Sequence, residues 1–331
     1  TLIGGLAGDS LTDADFNVAL GSNALIADTL GSRSTAVGYA ALTSQNLTTA
    51  ADSNNTAVGM LAGANVTSGI FNTLIGSEAG DALTDADNNL ALGYAALTSD
   101  TLGSKSTAIG RGALQTQNFT TATDTLNTAV GFNAGVAVTT GTNNVLIGTE
   151  AGDSITSGNT NVAVGTLALA TNQQGDRNTA VGYKALEDMN PSGNVDTYNT
   201  ALGFFAGTAV TTGIQNTLIG GLAGDALTDS DDNVAIGQTA LGTDTLGSKS
   251  TAIGRAALAT QNFTSATDTY NTAVGFQAGE AVTTGVQNTL VGGLAGDSLT
   301  DADFNIAIGF DALAGDTKGS KSTAVGRSAL S

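Results

Sequence analysis

The stretch Asn127-Thr128-Ala129-Val130-Gly131-Phe132-Asn133-Ala134-Gly135 decides the fold, because its pattern recurs along all 331 residues, as in Asn72-Thr73-Leu74-Ile75-Gly76-Ser77-Glu78-Ala79-Gly80. The glycine returns at 4, 21, 38, 59, 76, 93, 110 and 131, and so on to 326, in steps of 17, 17, 21 and 17 that close a larger period of 72. Self-similarity at such periods is the mark of a solenoid, in which each repeat buries its core only against its neighbours. Val, Ile or Leu always precedes the glycine, and Ala always stands three after it. Four before it, eighteen units carry fourteen Asn and four Ser.

So short a segment, rich in β-branched residues and alternating in character, is a strand. Glycine at its end supplies a corner where a side chain would clash or where φ must be positive. A second glycine corner stands seven residues earlier in about half of the units, as at Gly69, Gly103, Gly213 and Gly247, so each coil is expected to hold two short strands and two turns. Strand alternation puts the aliphatic before the glycine and the Ala or Leu two before it on opposite faces. The first is expected in a narrow core. The second, including Leu74, Leu146, Leu218 and Leu290, is then expected as an outer apolar row that neighbouring chains would cover. Asn stacked in register is expected to form a hydrogen-bonded ladder along the axis. The fold class expected is all-β: one continuous parallel β-solenoid over 1–331, a piece of a longer array, with nineteen coils that would span on the order of 90 Å.

Composition narrows the function. The chain has no Cys and no His, which removes thiol and imidazole chemistry, and carboxylates that repeat in register do not converge on one pocket, so no enzyme is expected. A net charge of −19 excludes the basic stripe that nucleic acid requires. No apolar run is long enough to insert in a membrane. The basic residues gather in one unit type, at Arg33, at Lys105 and Arg111, at Lys249 and Arg255, and at Lys321 and Arg327. Acidic clusters lie two units away, and such banding could set lateral register between rods or form a solvated face.

Those acidic clusters are Asp9, Asp13, Asp15 and Asn17; Asp81, Asp85, Asp87 and Asn89; Asp225, Asp229, Asp231 and Asn233; and Asp297, Asp301, Asp303 and Asn305. Oxygen ligands at alternate positions suit calcium, but the same residues make plain turns unaided. No cofactor is required by either reading, and calcium is the one candidate. Ser157, Asn159 and Asn161 replace the acids in one copy. The four 21-residue units insert four residues at one place, which carries Leu47, Phe119, Met189 and Phe263 in turn and, in the third insert, the only proline, Pro191. Inserts in repeats map to one face, so these four are expected either to touch a partner or to fold back over the coil's edge.

The units at Asn127–Gly135, at Ser106–Leu114 and at Asn72–Gly80 resemble the head repeats of trimeric autotransporter adhesins, the YadA-like family. They are also similar to 17-residue repeats of phage and bacterial fibre proteins that carry an endosialidase-type chaperone. The resemblance implies a left-handed parallel β-roll, a side-by-side homotrimer and an extracellular, cell-surface fibre that meets a host surface, matrix or neighbouring cells by multivalent display. Alternatives are a phage tail fibre shaft, a non-adhesive sheath or filament, and an ice-binding solenoid suggested by Thr56, Thr73, Thr107 and Thr128, a column broken at Leu90 and Val145.

Overall fold

A computed structural model describes residues 1–331. The chain divides into two compact units, Thr1–Asn161 and Val162–Ser331, and each is a parallel β-solenoid without helices. The first unit stacks nine strands, from Leu2–Ile3 to Val145–Ile147, and the second ten, from Val162–Val164 to Thr323–Val325. The register follows the repeat: Thr56, Ala57 and Val58 pair with Thr73, Leu74 and Ile75, which pair with Leu90, Ala91 and Leu92. The expected second strand forms only beside the inserts, as at Gly103–Ser104 with Thr123–Asp124. Elsewhere that side of the coil is turn, because its backbone groups bond the next coil singly instead of in a ladder, as Thr67 N–H does to the Thr84 carbonyl at 2.9 Å.

The corner glycine is obligatory on two grounds. Gly76 lies at φ +138°, and a Cβ there would stand 2.3 Å from the Gly93 carbonyl oxygen of the next coil. The backbones meet at the corner, so there is no room for any side chain. Other corners use residues in the left-handed region that are not glycine, such as Leu25, Leu42 and Leu97 at φ 50° to 55°. Each such residue costs on the order of 1 kcal/mol or more and persists only because the surroundings hold it. The next coil does so here: Leu42 N–H reaches the Ala62 carbonyl at 3.0 Å and Leu97 N–H the Ala113 carbonyl at 3.0 Å.

The two strand faces are the reverse of the sequence expectation. The position two before the glycine faces the core: Ala57, Leu74, Ala91 and Ala108 are all 0% exposed. The aliphatic before the glycine faces out, with Leu20, Leu92 and Leu202 at 42%, 40% and 46%. The narrow interior selects this phase, because the facing wall supplies another buried column, Ala62, Ala79, Ala96 and Ala113, and most coils then accept only Ala opposite. Leu enters once in each 72 residues, where its neighbours shrink. A Cβ added to Gly63 or Gly80 would meet the Leu74 methyls at 2.6 and 2.8 Å, so one leucine fills the space vacated in two successive coils. That exchange of volume between columns recurs with the same 72-residue period as the four-residue insert.

The Asn ladder is present and runs through the backbone. Asn72 N–H donates to Asn55 Oδ1 at 2.9 Å and Asn89 N–H to Asn72 Oδ1 at 3.0 Å. Most of these amide groups also donate to a carbonyl of the following coil, as Asn72 Nδ2 does to Ala86 O at 2.7 Å, whereas Asn178 Nδ2 turns to Asp176 O and Asn305 Nδ2 has no partner. Both ends of most of the buried amides are thereby satisfied, which is the condition for keeping polar atoms inside.

Candidate functional site

Strand geometry assembles an outer face. In the first unit Val58 pairs with Ile75, Ile75 with Leu92, Leu92 with Ile109 and Ile109 with Val130, all on the solvent side. In the second, Val164, Val181, Leu202, Ile219 and their successors continue the same way down to Val325. The half-buried column three before the glycine, Thr56, Thr73, Leu90, Thr107 and Thr128, shares the face. A stack of aliphatics without a polar interruption is unlike a solvated sheet face, where polar residues alternate outward. Contiguous apolar surface of this kind marks interaction sites.

Two columns border the face. One follows the glycine and carries exposed aromatics, a methionine and arginine: Tyr39, Met60, Tyr94, Arg111 and Phe132 in the first unit; Tyr183, Phe204, Arg255, Phe276 and Phe310 in the second. Arg111 lies between the Tyr94 and Phe132 rings, at 5.9 and 5.3 Å from their centroids. Tyr183 and Phe204 stack at 5.6 Å. The other column stands five before the glycine. There Arg33 bonds Asp52 at 2.9 Å, Lys105 bonds Asp124 at 2.5 Å, Lys249 bonds Asp268 at 2.6 Å and Arg177 bonds Asp196. The Lys249 ammonium holds the Asp268 carboxyl below the ordinary carboxylate range.

The acidic clusters are drawn into the ladders. Asn17, Asn89, Asn233 and Asn305 are buried, and their side-chain oxygens accept the backbone N–H of Ser34, Ser106, Ser250 and Ser322 at 2.8 to 2.9 Å. Asp87, Asp231 and Asp303 accept N–H groups of Ile70, Ile214 and Val286 in the preceding coil. Asp85 and Asp229 accept the hydroxyls of Ser68 and Thr212, and Asp81 that of Thr98. Asp301 accepts the Thr300 hydroxyl, while Asp9, Asp13 and Asp15 are exposed on the first coil. Nowhere do three carboxylates converge on one point. Burial pushes the Asp225 and Asp297 carboxyls above the ordinary range, with Asp311 adding at Asp297, and does the same to Asp153 with help from Glu150.

Of the two expectations for the inserts, contact with a partner or folding back, the geometry gives the second. Leu47, Phe119 and Phe263 are 6–7% exposed and Met189 is 0%. The fold-back is held by a buried polar network that the sequence analysis missed. Asp100 accepts Gln117 Nε2 at 2.6 Å and the backbone N–H groups of Gly103 and Phe119 at 3.1 Å, and Gln117 Oε1 accepts Asn127 Nδ2 at 2.9 Å. Asp244, Gln261, Gly247, Phe263 and Asn271 repeat it. Where Met189 replaces the glutamine, Asn172 replaces the aspartate, so the charge disappears together with its amide donor. That paired exchange was the readable signal. No helix is long and apolar enough to cross a membrane. No known family model matches this chain, and no curated protein is significantly similar to it.

Proposed function

We infer that the chain is a structural fibre protein that assembles side by side as a homotrimer, and that it serves outside the cell as a surface fibre with adhesive, multivalent display. One observation carries this: an outward aliphatic column, in register from coil to coil, that a solitary chain leaves in water. Self-association buries such a face while leaving the other faces free for repeated contacts with a host surface, matrix or neighbouring cell, where valency multiplies weak affinity. Light scattering on the full chain tests the assembly. The expected mass is three times 32.4 kDa, falling to one chain when Ile75, Leu92 and Ile109 are changed together to Thr, which keeps the β-branched strand preference. A monomeric parent chain at micromolar concentration overturns it. The outward threonines Thr56, Thr73, Thr107 and Thr128 favour a second reading, an ice-binding face, which ordinary ice growth in the presence of the protein would end.

A further inference from the structure

Five coils carry a cation five residues before their glycine, and the residue one after the glycine matches it in kind. Arg33 goes with Tyr39 and Arg177 with Tyr183, whereas Lys105 goes with Arg111, Lys249 with Arg255 and Lys321 with Arg327. The two Arg–Tyr coils otherwise diverge, running on to Gln45-Asn46-Leu47-Thr48 in one and Met189-Asn190-Pro191-Ser192 in the other, yet keep the pair. Covariation ordinarily reports spatial contact. Within one protomer these positions stand at opposite borders of the outward strand, and each interacts along its own column: Arg33 with Phe16 and Asp52, Arg111 with Tyr94 and Phe132.

A contact absent from one protomer is supplied by two. In a parallel ring the interface is heterologous, so one border of the face meets the opposite border of the next copy. We propose that the cation border of one copy packs at the same level against the aromatic and arginine border of its neighbour, and that these matched pairs fix the axial register of the assembly. This rests on the side-by-side assembly inferred above. The chemistry fits both pair types. Arg33 stacks its guanidinium on the partner's Tyr39 ring, a geometry that lysine serves less well. In the other type, Lys105 takes Asp124 Oδ2 and leaves the second oxygen of a carboxylate 58% exposed, open to the planar fork of the partner's Arg111. Arg111, Arg255 and Arg327 have no carboxylate partner in their own chain, although six other cations do. The partner's Asp124 and the partner's Asp268 would supply one to Arg111 and Arg255, while Lys321, the match of Arg327, holds no carboxylate itself.

The chain has no cysteine, which makes cross-linking unambiguous. The full-length double variant Lys105→Cys/Arg111→Cys, treated with a short bis-maleimide, is expected to run as a covalent trimer, and each single variant as a monomer. A covalent dimer from either single variant overturns the proposal, since it places like borders together. A trimeric native mass without a cross-link in the double variant overturns the border pairing alone, and a monomeric native mass overturns both this and the assembly. The mixed pair made by Arg111→Tyr should loosen the assembly about tenfold, and adding Lys105→Arg should restore it. Equal weakening by both changes without rescue would leave the covariation to shared descent of the repeats and overturn the contact.

Discussion

Adjacent residues with opposite duties give the sharpest test of which strand face is the core. Leu74 is 0% exposed, and its methyls occupy the space left by Gly63 and Gly80, two positions with no side chain that could relax into a void. Leu74→Ala should therefore fall in the upper part of the 2–5 kcal/mol range for such truncations, because the cost grows with the cavity that survives. Ile75 is half-buried on the outer face, and truncation to Ala in a solitary protomer removes strand preference and some packing, about 1 kcal/mol. Native-state hydrogen exchange read by mass spectrometry localises either loss to the coils around residue 74, which suits a repeat array whose unfolding is not all-or-none. Leu74→Ala should lower protection there equally at every protein concentration. Ile75→Ala should cost little in dilute solution and progressively more as concentration rises, because its deficit lies in association. Equal losses from both variants in dilute solution would refute the assignment of faces.

Gly76→Ala should abolish the local stack, since its Cβ would meet a carbonyl oxygen at 2.3 Å, whereas Gly221→Ala, 4.0 Å from its nearest neighbour atom, should change stability by less than about 0.5 kcal/mol by urea titration. Burial raises the folded-state pKa of Asp225 above the ordinary carboxylate range, so the folded chain holds its proton more tightly than the unfolded one and the site's contribution falls as pH rises through and above that range. Asp225→Asn should then stabilise at pH 7 and do nothing at pH 3; a gain of equal size at both would contradict the cause. Millimolar calcium should leave the thermal midpoint unchanged, because the Asn89 oxygen and one Asp87 oxygen already accept backbone N–H groups; a calcium-dependent rise would make the acidic clusters metal sites.

The corner glycine, the coil period and the Asn column were legible because each answers a local demand: a φ no other residue accepts, a fixed chain length per coil, a buried amide that must be satisfied. The phase of the strand was not. Alternation assigns two faces but leaves open which is inside, and the size rule that large aliphatics go in fails where Ala62 and Ala79 leave room only for Ala57 or an occasional Leu74. The deciding signal was relational. Leu stands two before the glycine only in units with Gly four after it, as at Leu74 with Gly80, Leu146 with Gly152 and Leu218 with Gly224, and such exchange of volume happens only between groups that share a core. The buried Asp100 and Gln117 were hidden for a similar reason, since polar residues next to an insert read as turn until their donors and acceptors can be counted.

The proposed assembly would draw its affinity from the outer face. The interior holds alanine columns, a set of fully buried leucines such as Leu42, Leu74 and Leu97, and hydrogen-bonded amides, and each of these contacts only the neighbouring coils. A further aliphatic column, the Val, Ile or Leu before each glycine, is outside. One half-buried Val, Ile or Leu contributes on the order of 1 kcal/mol when a neighbour covers it, whereas bringing chains together costs about 4–15 kcal/mol in lost freedom. A single coil cannot offset that cost, but nine in register in one unit and ten in the other can. A slip by one coil keeps most of the aliphatic contact, since every coil offers nearly the same column, so hydrophobic burial supplies affinity without register. Groups that recur only once in 72 residues are the ones able to penalise a slip, and the cations at 33, 105, 177, 249 and 321 with their matched residues at 39, 111, 183, 255 and 327 have that spacing.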